Sequence, residues 1–188
     1  MKSNIKRIAT LGILCACSII LVALIHLPII PAVSFLEYDP ADIPILIGTF
    51  IFGPFWGLGL TVVTSIIQGI TVSAQSGFYG IAMHTIATGT YTLVAGSIYK
   101  HKKTKKSALI AIICGTVSWV AVMIPANLLL TPAYLGLFGM DTETAKATVN
   151  TLLPYIVLFN LIKSGVNGII TYIVYKKIHI FLQKINLV

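Results

Sequence analysis

Acidic side chains are scarce in this chain: five stand against thirteen Lys and Arg in 188 residues. Charged residues of both signs make up only 10% of the chain, 57% of it is hydrophobic, and the mean hydropathy is +0.96. So few charges cannot clothe a water-soluble domain of this length, and most of the surface is therefore expected to face lipid. The chain also lacks G-x-x-x-x-G-K-[ST], which excludes a P-loop ATPase, and it lacks HExxH and GxSxG, two common hydrolase signatures. No CxxC spacing occurs. Cys15, Cys17 and Cys114 all fall inside apolar runs and read as small packing residues, with no metal or disulfide role. Low-complexity segments and clear internal repeats are missing as well.

The bases that are present sit at the ends of apolar runs. Lys2, Lys6 and Arg7 precede the first run, Lys100, Lys102, Lys103, Lys105 and Lys106 fill one short connector, and Lys176, Lys177 and Lys184 follow the last. A nucleic-acid surface would interleave bases with aromatics, whereas this placement marks the cytoplasmic side of a membrane protein. The basic start followed by "LCAC" has the look of a secretory or lipoprotein signal. After Cys17, however, the chain continues as "SIILVALIHLPII", which reads as a retained transmembrane helix.

Crossing about 30 Å of hydrocarbon takes roughly 20 helical residues. Runs 8–30, 107–130 and 152–175 meet that length. Glycines and prolines at "FGPFWG" and "SAQSGFYG" break the region between 41 and 99. All five acids, Glu37, Asp39, Asp42, Asp141 and Glu143, fall in two clusters away from the basic ones. If the first acidic loop is outside and the basic connector inside, residues 41–99 cross an odd number of times. Three short helices, near 41–56, 57–74 and 78–99, complete an expected all-α, single-domain membrane protein with six spans and both termini cytoplasmic. The loop at 34–44 is expected to fold back over the outer face, its motion limited by Pro40 and Pro44.

Polar residues within the spans are the candidate functional groups. Asn160, Lys163, Ser164, Asn167 and Thr171 follow helical spacing and form one stripe on the last span. Lys163 lies twelve residues past Thr151 and thirteen before Lys176, too deep to snorkel easily. No acid falls within a secure span to pair with it. That leaves a neutral lysine, a water-filled cavity, carbonyl contacts, or a polar ligand, with a ligand or ion pathway favoured by the adjacent amides. Asn127, Gln68 and His84 read either as helix glue or as ligand contacts. His84 also suggests a proton relay, but no intramembrane acid continues one. An enzyme acting on lipid would have only His84 and the outer acids for proton transfer. Gly12 and Ala16 have small-xxx-small spacing, which suits close approach of a neighbouring helix or of a partner protein.

Several segments resemble one family. "YDPADIPILIGTFIFGPFWG" (38–57), "IYKHKK" at the end of the fourth span, "TPAYLG" at the end of the fifth and "LFNLIKSGVNG" in the sixth resemble the substrate-binding S component of energy-coupling factor vitamin transporters, most closely the riboflavin-specific group. The resemblance implies a six-helix protein, not itself an enzyme, that captures riboflavin from outside and needs no cofactor. A transmembrane coupling protein and two cytoplasmic ATPases would drive release. It implies that Asn127, Asn160 and Lys163 contact the flavin ring, that Gly12 and Ala16 dock the coupling protein, and that Tyr38, Asp39 and Asp42 belong to a lid. The group often carries a Lys-Asn pair where this chain has Thr64 and Ser65, and an asparagine near His84. FMN, a thiamine precursor and pantothenate are therefore alternative cargoes, and a membrane assembly or signalling protein is an alternative outside transport.

Overall fold

Glycine and proline punctuate six α-helices in the computed structural model, which describes residues 2–184. They are α1 (Lys2–Leu24), α2 (Asp42–Phe52), α3 (Pro54–Ile70), α4 (Gly77–His101), α5 (Lys105–Gly136) and α6 (Thr142–Lys184). The connections hold two short 3-10 turns, Pro31–Val33 and Ala74–Ser76, and an isolated antiparallel bridge between Leu27 and Tyr38. The side chains of Lys2, Lys176 and Lys184, read above as basic flanks, lie outside the described residues.

The helix boundaries differ from the apolar runs for local reasons. α1 stops at Leu24, and the rest of the expected 8–30 run is extended chain, because the backbone of Leu27 exchanges hydrogen bonds with Tyr38 and Pro28 follows. α2 and α3 are parted at Gly53, whose φ of 100° suits glycine, and Pro54 then opens α3 with a preset φ. α6 begins well before residue 152, since Asp141 Oδ1 accepts from the Thr144 backbone N–H at 3.0 Å and caps its first turn. The Thr144 bonds hold the Asp141 carboxyl below the usual carboxylate range. Polar residues in 142–151 disguise this segment as loop, although Ala145 and Val149 are buried.

Among the described residues, three helices have the length and apolarity to cross a membrane: Asn4–Leu24, Lys105–Gly136 and Thr142–Tyr175. α3 and α4 pass that test only as a pair, bent by 94°. The 11 residues of α2 reach only about 17 Å, short of the hydrocarbon thickness. The segment 41–99 thus holds three helices of unequal length.

α5 packs between α4 and α6, α3 lies on α4, and α2 touches α1, α3, α4 and α6. Tyr91 of α4 is fully buried and meets Trp119 of α5 edge-on, with ring centroids 5.9 Å apart. Gly115 of α5 and Gly168 of α6 make room for it, because a Cβ at either position would overlap the Tyr91 side chain. The two glycines let three helices close around one aromatic ring. Gly168→Leu is therefore expected to lower the melting temperature in detergent by about 3–10 °C through overpacking. Gly12→Leu, where an added Cβ meets nothing within 4 Å, should not lower it. Equal melting temperatures for Gly168→Leu and the parent would contradict this packing.

Candidate functional site

The polar stripe of α6 faces the protein interior. Asn160, Lys163, Ser164, Asn167 and Thr171 are all buried, as 3.6-residue periodicity requires of one helix face. Ser164 and Thr171 bond back to the Asn160 and Asn167 carbonyls, at 2.6 and 2.7 Å. Those hydroxyls are satisfied within the helix. The amides and the lysine reach elsewhere.

Lys163 has a carboxylate partner after all, supplied from outside the secure spans, where no acid had been expected to pair with it. Its Nζ donates to Asp39 Oδ2 at 2.6 Å, in an ion pair whose two side chains are 10% and 13% exposed. Asp39 comes from the connection between α1 and α2, which folds over α6. Asn167 Nδ2 donates to the Asp39 carbonyl at 3.0 Å and to Asp42 Oδ2 at 2.9 Å, while Tyr38 donates its hydroxyl to Asn167 Oδ1 at 3.0 Å. Burial and the nearby Asp39 and Asp42 charges raise the Tyr38 hydroxyl above its ordinary pKa, so it remains a donor at neutral pH. Ser18 of α1 donates to the Ala41 carbonyl at 2.8 Å, and fully buried Val33 packs with Val149, Ile156 and Phe159. Asn167, a stripe member with no assigned task in the sequence, is the main tie between this connection and α6.

His84 also reaches an acid, although no acid within a secure span was expected to continue a relay from it. Asp42, at the start of α2, accepts from Thr88 Oγ1 at 2.7 Å and from Asn167, and faces His84 Nε2 at 3.1 Å. A carboxylate taking two other donors requires Nε2 to carry a proton. His84 Nδ1 lies 2.7 Å from Ser65 Oγ, and that hydroxyl also has the Thr61 carbonyl at 2.7 Å. α2, α3, α4 and α6 are thereby joined by one hydrogen-bonded chain.

Beneath the connection between α1 and α2 lies a cavity of about 160 Å³. Lys163, Asn160, Gln68, His84 and Asp39 line it together with Ser65 and Glu37. Phe35, Tyr79, Trp119 and Phe159 supply aromatic walls. Trp119 Nε1 donates to Asn160 Oδ1 at 2.7 Å, and Asn160 Nδ2 donates to the Ile156 carbonyl at 2.8 Å. Gln68 Nε2 is buried with no hydrogen-bond partner, an arrangement that costs stability unless a ligand or water completes it. Tyr38 and Asn127 are not on the lining. Tyr38 acts through Asn167, and Asn127 is fully buried, donating to the Met123 carbonyl at 2.8 Å and accepting from Thr131 at 3.0 Å. The sequence reading missed Trp119 and the Ser65–His84–Asp42 chain. A tryptophan one α-helical stripe from an intramembrane asparagine was the available signal for the first, and only tertiary approach supplies the second.

Gly12 and Ala16 both lie on the exposed face of α1. Nothing comes within 4 Å of a Cβ built on Gly12. Packing inside the chain does not use this small-residue face.

A family model described as ECF transporter, substrate-specific component, matches residues 6–175. The chain belongs to that family, a multi-pass membrane transport component and not an enzyme class. Among curated relatives it is similar to the riboflavin transporter RibU of Staphylococcus aureus, 28% identical over 186 residues, 98% of this chain and 96% of that protein. It is 24% identical over 185 residues to RibU of Streptococcus thermophilus, covering 97% and 87% of the two chains. It is likewise 24% identical over 182 residues to the riboflavin transporter FmnP of Bacillus subtilis, covering 96% and 93%. A solved S component of a bacterial ECF transporter superposes with a TM-score of 0.77 at 27% identity, covering 95% of this chain and 98% of that one.

The buried pair yields a test of its own. Lys163→Met or Asp39→Leu alone strands a charge and is expected to cost about 3–5 kcal/mol of ligand-free stability, whereas the double substitution should recover much of it. Thermal unfolding of the four proteins measures the coupling, and strictly additive losses would contradict a direct pair.

Proposed function

We propose that this chain captures riboflavin at the outer face of the cell membrane and delivers it as the S component of an ATP-driven importer. The observation that carries the reading is a set of unused donors in an aromatic-walled cavity. Gln68 Nε2 has no partner, and Asp39 engages one of the three N–H donors of Lys163. Because Asp39 already balances the lysine, those donors suit a flat, neutral ring bearing carbonyl acceptors better than an anion. Asn160, held by Trp119, supplies a further polar contact. The riboflavin transporters among the relatives support the same cargo.

The cavity of about 160 Å³ is below the roughly 300–1,000 Å³ usual for ligand sites. Entry of a three-ring ligand therefore requires the connection at 25–41 to yield, so Tyr38, Asp39 and the first residues of α2 act as a lid. On this reading the basic end of the bundle is cytoplasmic, as are both termini, and six crossings are completed by the short helices α2–α4. The exposed Gly12 and Ala16 face offers the docking surface for a transmembrane coupling protein, whose two ATPase partners supply the energy.

A second cargo within the same family is favoured by one feature. Ser65 and His84 line the cavity and are joined to Asp42, so the wall opposite α6 differs from the Lys-Asn and asparagine pattern usual in the riboflavin-specific group. FMN, a thiamine precursor or pantothenate would then replace riboflavin, and a thermal-shift screen separates them because only a bound ligand raises apparent stability.

Two outcomes are expected. Riboflavin fluorescence should be quenched on titration with purified protein, and Gln68→Ala or Lys163→Ala should weaken binding about 10–100-fold. No quenching by a folded, ligand-free preparation would remove riboflavin as cargo. Gly12→Leu combined with Ala16→Leu should abolish copurification with the coupling protein while leaving flavin binding intact. Retained copurification would sink the docking assignment.

A further inference from the structure

The far end of the bundle carries a second concave site of opposite character. Lys103 and Lys105, in and just after the α4–α5 connection, converge with Lys177 of α6 on a cavity of about 360 Å³. Its other walls are Ala108, Tyr172, Ile173, Tyr175 and Ile180. No acid lines it, and the ion pairs among the described residues involve only His84, Lys146 and Lys163. The acids of the chain, Glu37, Asp39, Asp42, Asp141 and Glu143, all belong to the opposite end of the helices. Three lysines thus line one hollow with no acid among its lining residues, an arrangement that favours entry of an anion.

The apolar half of the hollow narrows the kind of anion. Ile173 and Ile180 are 61% and 48% exposed, and Ile169, one turn earlier on the same face of α6, is 58% exposed. A small inorganic anion would satisfy the lysines and leave this stripe unused. A phospholipid uses both halves, its phosphate on the lysines and an acyl chain along the isoleucines, with tyrosines at the interface between them.

We propose that the Lys103–Lys105–Lys177 cavity binds the headgroup of an anionic phospholipid, with an acyl chain lying along Ile173 and Ile169. The site rests on α5 and α6 crossing the bilayer and is independent of the vitamin carried at the other end. Lipid held there would fix the rotation of α6 about its axis relative to the membrane surface.

Native mass spectrometry of the full chain extracted from mixed phosphatidylglycerol and phosphatidylcholine vesicles tests the assignment. The parent protein is expected to retain phosphatidylglycerol about tenfold or more over phosphatidylcholine. Lys103→Gln, Lys105→Gln and Lys177→Gln together should bring the ratio to parity without changing the melting temperature in detergent. Lys146→Gln, at the acidic end, should leave the ratio unchanged. Equal retention of the two lipids by the parent, or an undiminished preference in the triple variant, would overturn the proposal. Displacement of phosphatidylglycerol by excess inorganic phosphate would reassign the site to free phosphate. Loss of copurification with the coupling protein at unchanged lipid preference would reassign it to protein docking.

Discussion

A lysine in the middle of an apolar helix must be compensated, and the rest of the polar architecture follows from how Lys163 is. Asp39 reaches it across 124 positions of sequence, which requires the connection between α1 and α2 to fold inward and stay there. The same turn of chain brings Asp42 to the head of α2, where its carboxylate gathers Thr88, Asn167 and His84. Desolvating one charge has thus organised two acids, the Asn167 amide and a histidine into a continuous network. Breaking any one member leaves others unsatisfied, which makes the network cooperative.

That network separates two kinds of polar group. Those that tie the α1–α2 connection to the helices are Asn167, Tyr38, Asp42 and Ser18, and their partners are internal. Those that keep spare capacity are Lys163 and Gln68, and they border the cavity. The network draws Asp39 and Asp42 to one end of the helices. The other end carries the basic clusters, and the small-residue face of α1 is exposed.

Much of this was legible in the sequence because it is local. Helical spacing alone grouped Asn160, Lys163, Ser164, Asn167 and Thr171, and the five buried side chains agree. Gly53 and Pro54, and the "SAQSGFYG" stretch between α3 and α4, were visible as breaks, although the 94° angle of the second was not. What the sequence concealed is non-local. Asp39 and Asp42 lie in a polar, proline-bearing stretch that reads as an outer loop, and nothing in their spacing points to α6. The roles of Gly115 and Gly168 were equally hidden, since glycine in an apolar helix does not announce which ring it accommodates. The early start of α6 was masked by polar residues that face outward while Ala145 and Val149 face in.

Lys163 is expected to hold the connection between α1 and α2 closed through Asp39. Hydrogen–deuterium exchange of residues 25–41 in the ligand-free protein tests it most directly, comparing the parent with Lys163→Met. The account predicts protected amides at Leu27 and Tyr38, whose backbones bond one another, and exchange about tenfold or more faster in the variant. Identical exchange in the two proteins would contradict it.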